Sequence, residues 1–351
     1  MGIADILIKI VLVVVIFAIS LLIALYSTYA ERKVAAFFQD RLGPNRAGPY
    51  GLLQPFADGI KMFLKEEIIP THASAFLFIA GPSLSILTAC IGSAVIPWGQ
   101  SLTFGTTVIP LQVADINVGV LYILGVVSLG VYGVMIGGWA SNNKYSLLGA
   151  IRAASQNISY EISMGLSIIA LLMVTGTLSL KEIAGQQHGF WANGWFTWNF
   201  FKQPLGFILF IICAFAETNR TPFDLPECET ELVGGYHTEY SSMKLGFYLF
   251  SEYINMFVSS AVMATLYFGG YNYPGMDFLL HNLGLSENLV AILGVFALFA
   301  KIAFFIFFFM WVRWTIPRFR YDQLMDLGWK SLIPLAIANI VITGVVITFF
   351  K

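Results

Sequence analysis

Eight stretches of the chain are nearly unbroken apolar runs, at 6–27, 76–97, 117–139, 157–176, 204–216, 245–268, 289–312 and 331–350. A helix of about 20 such residues crosses the hydrocarbon of a bilayer, whereas a barrel strand is about half as long and alternates. These runs do not alternate. The pattern therefore predicts an all-α membrane protein, a polytopic bundle of about eight transmembrane helices. The fifth run is short on its own and is expected to continue into the polar stretch after it. The first run reaches Tyr26 without the short apolar core and cleavage site of a signal peptide, so it reads as a span.

Composition agrees with a single integral membrane domain over 1–351. The chain is 58% hydrophobic and 11% charged, with mean hydropathy +0.77, where a soluble domain carries about a quarter charged residues. A net charge of −1 and the lack of any Lys/Arg run give no sign of nucleic acid as a partner; the partner implied is the lipid bilayer. Cys90, Cys213 and Cys228 lie too far apart for a paired motif, and four scattered histidines add no ligand spacing. No metal, haem or iron–sulfur cluster is expected in this chain, which then cannot move electrons by itself.

Lys and Arg divide unevenly among the connections. Fourteen of the nineteen fall in the loops between spans one and two, three and four, five and six, and seven and eight. Lys9, Lys181, Lys202 and Lys351 fall on the other side, and Lys301 lies inside a span. The positive-inside bias makes the fourteen-charge loops cytoplasmic and places both termini outside.

The cytoplasmic loop 31–70 is long, and long ordered loops are usually functional. Its GPNRAGPYG is turn chemistry. After it, Leu52, Leu53, Phe56, Ile60, Phe63 and Leu64 recur at helical spacing, with Asp58, Lys61 and Lys65 on the other face. That predicts a surface amphipathic helix. Glu31, Arg32, Asp40, Arg41, Asp58 and Lys61 mix signs, where a pure topology signal needs only positives.

Four ionisable residues fall in or at the ends of apolar runs: Glu161 at the inner end of the fourth, Glu217 ending the fifth, Glu252 about two turns into the sixth, and Lys301 near the centre of the seventh. Each costs at least about 2.5–3.5 kcal/mol if it faces lipid, so each should face the interior, a partner or water. Two readings stand: a static pair in which Lys301 neutralises a glutamate, or a proton relay through carboxyls whose proton affinity burial raises.

ETNRTPFDLPECETELVGGYHTEY, 217–240, opens an acidic loop (217–243) with Glu217, Asp224, Glu227, Glu229, Glu231 and Glu239 against one formal cation, Arg220. Pro222 and Pro226 argue against regular helix. Glu227, Glu229 and Glu231 alternate, and in either extended or helical form several carboxylates are expected to stay close and to titrate as a coupled set. Interleaved Pro222, Phe223, Leu225, Leu232 and Val233 distinguish it from a simple solvated loop. In the last loop, 313–330, Arg313, Arg318 and Arg320 alternate with Trp311, Trp314, Phe319 and Tyr321, as an interfacial belt or an arginine-lined cavity. Asp115 reads as a helix N-cap before the third span, and His237 as a hydrogen-bonded loop residue.

ERKVAAFFQDRLGPNRAGPYGLLQPFADGIKMFLKE, ADINVG, SYEIS, AETNRTPFDLPECETELVGGYHTEY and WVRWTIPRFRYDQLM together resemble the H-subunit family of bacterial NADH-quinone oxidoreductase, counterpart of NADH dehydrogenase subunit 1 in respiratory complex I. The resemblance covers essentially the whole chain. It implies a bacterial plasma-membrane (inner-membrane) subunit that anchors the hydrophilic arm and forms the quinone chamber with peripheral subunits, beside neighbouring small membrane subunits. Quinone is then a substrate, and flavin and iron–sulfur clusters belong to partner subunits. By motif match, Glu31, Arg32, Arg41, Asp58, Lys61, Arg313 and Arg318 fall at the quinone entrance and chamber. Glu161, Glu217 and Glu252 match buried glutamates leading into the membrane arm, with Asp224, Glu227, Glu229, Glu231 and Glu239 facing the chamber and Lys301 unassigned between pair and relay. Two other readings stay open at this point. One is the homologous anchor of a membrane-bound hydrogenase or related reductase. The other is a stand-alone proton-coupled transporter.

Overall fold

The computed structural model describes residues 3–104, 107–188, 197–282 and 286–350. The chain runs through α1 (Ile3–Phe38), α2 (Gln54–Leu64), α3 (Ala75–Gly92), a small hairpin β1 (Leu102–Phe104) and β2 (Thr107–Ile109), α4 (Gly119–Ala140) and α5 (Lys144–Thr175). It continues through α6 (Leu180–Gln186), α7 (Asn199–Lys202), α8 (Pro204–Glu217), α9 (Glu229–Leu232) and α10 (Ser242–Tyr267). It ends with α11 (Met276–His281), α12 (Glu287–Thr315), α13 (Tyr321–Asp326) and α14 (Ile333–Phe350). Seven of the described segments are long and apolar enough to cross a membrane, and α8 is a shorter apolar helix.

Several boundaries differ from the apolar runs. α1 continues to Phe38 because ERKVAA is rich in strong helix formers, so Glu31 and Arg32 stand on a helix and not in a loop. The chain leaves that helix through left-handed turns at Asp40 (φ 51) and Gly43 (φ 58). α5 starts at Lys144, where the Asn143 side chain accepts a hydrogen bond from the Tyr145 amide at 2.8 Å. Glu161 therefore lies near the middle of α5 rather than at an end. The fifth run does not continue into the acidic stretch: α8 stops at Glu217. Thr218 turns its hydroxyl back to Ala214 O (2.9 Å), and Pro222 and Pro226 downstream lack the amide a helix needs. Helix resumes at Tyr321, and a π-type turn (Leu327–Leu332) joins α13 to α14. The connection after α12 is thus only residues 316–320. Asp115 is not an N-cap. α4 starts after Val118 without a side-chain cap, and Asp115 instead meets Lys181 at 3.2 Å.

α10 is the central helix. It packs against α1, α3 and α12, and its second half is almost wholly buried. Its Ser, Asn, Tyr and Glu content suits that place, because helices that contact other helices in lipid use polar and small residues. α3 and α4 approach through glycines. A Cβ on Gly133 would lie 2.5 Å from Ser85 Oγ and 2.9 Å from Gly81 O. Tyr248 and Tyr240 of the α10 side donate to the carbonyls of Gly133 and Gly137, each at 3.1 Å.

Candidate functional site

The connections that hold most of the charge converge at one end of the bundle. Lys244 at the start of α10 pairs with Glu67 before α3. Arg152 of α5 meets Glu231 at 2.6 Å, and Asn143 donates to Glu239 at 2.6 Å. This end holds a cavity, a buried ionic knot and a pair of acids.

The cavity, about 310 Å³, lies between the end of α1, α2 and the start of α10. Glu31, Arg32, Arg41, Asp58 and Lys61 all line it, with apolar walls from Leu25, Leu249 and Phe250. α2 forms one side. Arg32 donates to Asp58 at 2.7 Å, and Gln54 holds the other Asp58 oxygen at 3.0 Å. The opposite face of α2 leaves Phe56, Ile60, Phe63 and Leu64 exposed, as a helix lying in a membrane surface requires.

Glu31 closes the inner wall of the cavity. Its carboxylate accepts from Arg220 at 3.1 Å, Arg313 at 2.7 Å and the Tyr253 hydroxyl at 2.8 Å. Arg220 is buried, with its guanidinium 4.1 Å from the Tyr253 ring centroid. Burial alone would favour loss of its proton, but Tyr253, Glu31 and Glu252 more than reverse that, so it stays charged. Arg318 sits apart from the cavity and donates to Asp224 at 3.0 Å. Burial, with Glu227 nearby, pushes Asp224 up to about 6 against the pull of Arg318, Arg313 and Arg220.

Behind Arg220 lies the acid pair. Tyr236 OH is 2.9 Å from Glu227 Oε1 and 3.1 Å from Glu252 Oε1, and the two carboxyls bond each other. Two carboxyls in contact must hold a proton between them. Burial pushes Glu227 up, but the bond from Glu252, with His237, Tyr236 and Arg220, holds it below the usual range. This corrects the expected grouping of Glu227, Glu229 and Glu231. The short turn α9 sends Glu227 inward and Glu231 out to Arg152, so the coupled acids are one from the loop and one from α10. The Glu229 side chain lies outside the described residues.

Deeper in the bundle, Glu217 and Glu161 each bury a carboxyl oxygen that has no protein partner among the described residues. Glu217 lines a small cavity of about 40 Å³, otherwise mostly apolar, with Thr218, Asn255 and Ser259. That volume exceeds the roughly 10–15 Å³ one water needs. Asn255 and Ser259 follow Glu252 at three and seven residues, on the same face of α10. A polar stripe therefore leads from the acid pair toward Glu217.

These features meet a match to the NADH dehydrogenase family profile over residues 9–344. The chain belongs to the NADH dehydrogenase family. Its relatives include the first of the NADH-quinone oxidoreductase H-subunits of Cytophaga hutchinsonii, 66% identical over 342 residues and 97% of each chain. The H-subunit of the same enzyme from Flavobacterium psychrophilum is 64% identical over 344 residues and 98% of each chain. NADH-quinone oxidoreductase subunit 8 of Rhodothermus marinus is 46% identical over 333 residues and 94% of each chain. This chain is accordingly an H-type membrane component of a multi-subunit NADH-quinone oxidoreductase. The hydrogenase-anchor and transporter readings find no support in these names. No cluster of His, Cys, Asp and Glu among the described residues is fit to hold a metal ion.

Lys301 of this NADH dehydrogenase family member pairs with no glutamate among the described residues. Its ammonium donates to the carbonyls of Phe268, Gly270 and Asn272, at 2.7, 2.8 and 2.5 Å, where α10 ends. A cation at a helix C-terminus offsets the negative end of its dipole. Sequence reasoning missed Arg220, Tyr236, Tyr253, Asn255 and Ser259 as site residues. Arg220 had a signal, being the lone cation among six acids; the others had none.

Proposed function

We propose that this chain forms the membrane-facing part of a quinone chamber and couples quinone reduction to proton translocation through its buried acids. The α1–α2–α10 cavity is the quinone entrance, with α2 at the lipid surface. It lies at the cytoplasmic end of a bacterial plasma-membrane protein whose termini are both outside. Peripheral subunits complete the chamber and carry flavin and iron–sulfur clusters, and small membrane subunits flank the bundle. The observation that carries this reading is the Glu31–Arg220 pair. Glu31 lines the cavity, and Arg220 acts electrostatically on both Glu31 and Glu252. A reduced, negatively charged headgroup beside Glu31 draws on the same arginines and weakens their hold on Asp224, Glu227 and Glu252, so the acid pair takes up a proton. Glu217 and Glu161 pass the change inward. Moving one charge against 100 mV costs about 2.3 kcal/mol, which the redox step supplies.

The test uses membranes of the native host carrying Lys61→Ala or Glu217→Gln. NADH oxidation by an artificial acceptor, NADH oxidation by quinone, and proton pumping are compared. Lys61→Ala is expected to raise the KM for quinone and Glu217→Gln to lower quinone turnover and pumping, both with the artificial-acceptor rate intact. Full quinone turnover with full pumping in both variants refutes the reading.

A further inference from the structure

Glu252 is enclosed within α10, and its protons must arrive from the charged end. The turn Gly235–His237 packs on α5 and α4. It places two adjacent proton-carrying side chains in line with the acid pair. His237 Nε2 is 3.8 Å from Glu227 Oε1, and these side chains are 21% and 16% exposed. Tyr236 and Glu252 are only 1% and 8% exposed. His237 and Glu227 therefore stand at the accessible edge of the cluster, with Tyr236 and Glu252 buried behind them. The groups acting on Glu227 are His237, Tyr236, Glu252 and Arg220, with Asp224 close by. His237 faces Glu227 and the edge of the Tyr236 ring, 5.2 Å between centroids.

A phenol has one O–H hydrogen and oxygen lone pairs. Placed between two carboxyls, Tyr236 donates to the one that lacks a proton and accepts from the one that has it. Its hydroxyl orientation thus follows the proton. Burial, and both carboxyls, hold the Tyr236 hydroxyl well above the usual phenol range, so it acts as a neutral carrier. Imidazole is the side chain that changes charge near neutral pH.

We propose that His237 is the proton inlet of the buried acid set, loading Glu227 from water, with the proton passed on to Glu252 both through the direct bond between the two carboxyls and through the Tyr236 hydroxyl. In the first step, a hydronium O–H bond breaks and His237 Nε2 takes that proton, leaving water. The Nε2–H bond breaks, an O–H bond forms on Glu227, and the imidazole is left neutral. In the second step, by way of the hydroxyl, the Glu227 O–H bond breaks as the Tyr236 oxygen takes that proton. The original Tyr236 O–H breaks, and its hydrogen bonds to Glu252. One proton enters, one reaches Glu252, and Tyr236 and His237 are unchanged. This inlet rests on the reading that Glu252 carries protons in coupled turnover.

The experiment compares His237→Asn, Tyr236→Phe and Glu252→Gln complexes in native membranes. Tyr236→Phe keeps the ring packing on Tyr248, 5.1 Å away, and removes only the hydroxyl. Artificial-acceptor and quinone-linked NADH oxidation are measured from mildly acidic to mildly basic pH, with and without added imidazole. The quinone-linked rate of His237→Asn is expected to fall about tenfold or more and to recover with imidazole. Tyr236→Phe is expected to fall less than His237→Asn and not to recover with imidazole, because the direct Glu227–Glu252 bond still passes the proton. Artificial-acceptor rates stay at wild type throughout. A wild-type quinone rate in His237→Asn, or a loss in that variant that imidazole leaves unmoved, overturns the inlet. Glu252→Gln separates the two levels. If it collapses while His237→Asn runs normally, the inlet alone fails; if Glu252→Gln itself runs and pumps normally, the coupling reading fails with it.

Discussion

Replacing Glu31 by Gln removes the carboxylate on which two arginines converge. The side chain is 8% exposed and Arg220 is 4% exposed, whereas Arg313 is 27% exposed. At an effective dielectric constant near 20, a unit pair at this separation attracts by about 5 kcal/mol. Part of that offsets the cost of taking both charges out of water. Removing one partner of a buried pair costs about 3–5 kcal/mol, because the other charge is stranded. Arg313 has water to turn to, and Arg220 does not, so the loss is expected at the full buried figure for one pair only. That is a factor of roughly 10² to 5 × 10³ in the population of the closed site. Arg32→Gln is the control. It breaks the Arg32–Asp58 pair, whose side chains are 52% and 28% exposed, and such surface pairs contribute only about 0–1 kcal/mol. Membranes are heated in steps, and residual quinone-linked activity is compared with residual artificial-acceptor activity. Glu31→Gln should lose the quinone-linked rate several degrees below wild type, and Arg32→Gln should track wild type. Adding Arg220→Met to Glu31→Gln should restore part of the loss, since the stranded charge is gone. If Glu31→Gln is as heat-resistant and active as Arg32→Gln, the knot does not organise this end of the molecule.

Lys301→Met should lower the heat-inactivation midpoint by stranding three carbonyls at the end of α10, while the quinone-to-acceptor rate ratio at low temperature stays at wild type; loss of that ratio with unchanged heat resistance identifies a relay instead. Gly133→Ala forces α3 from α4 and should cost about 1–3 kcal/mol, seen as less intact complex on native gels, whereas Gly125→Ala, with open space around its Cβ, should be neutral. Asp224 has a proton affinity raised from a reference of 3.8 to about 6. The folded state thus holds that proton more tightly, and this group's contribution to stability is lost as pH rises from about 4 through 6. The thermal midpoint of Asp224→Asn should gain on wild type between about pH 4 and pH 6 and then level off; a constant difference over that window contradicts the shift. Glu231→Gln, which loses only a partly exposed pair with Arg152, should reduce quinone turnover far less than Glu227→Gln, as paired rate measurements will show.

The span pattern and the amphipathic α2 were legible because lipid and the membrane surface impose hydrophobicity along whole helices, and each residue in a run repeats the message. Boundaries at charged ends were not legible. ERKVAA and the segment from Lys144 carry polar residues yet remain helical, since helix propensity and packing continue where hydropathy stops. The seven entrance residues were named from motif order. The structure brings five of them to one cavity, seats Arg313 on its wall through Glu31, and leaves Arg318 on Asp224. The acidic loop misled because alternation along a chain says nothing about which side of a turn each carboxylate leaves by; α9 separates Glu227 from Glu231 within four residues. The Lys301 partners were invisible for another reason. Backbone carbonyls occur at every position, so no residue type announces them.

α1 is fastened unevenly. Ile16, Ser20, Ala24, Ser27, Glu31 and Ala35 form a buried stripe, and the described side chains before Ile16 are not buried. From Ile3 to Ile16 the helix is an arm of about 20 Å at 1.5 Å per residue, its described side chains from Ile6 to Val15 exposed or only partly buried. A bend of ten degrees at Ile16 swings the tip by only about 3.5 Å on that arm, and leaves the fastened half in place. Differences in bilayer thickness are met by tilt at modest cost. A tilt confined to that arm would leave Glu31 in register with Arg220 and Arg313 as the lipid around the helix thickens or thins.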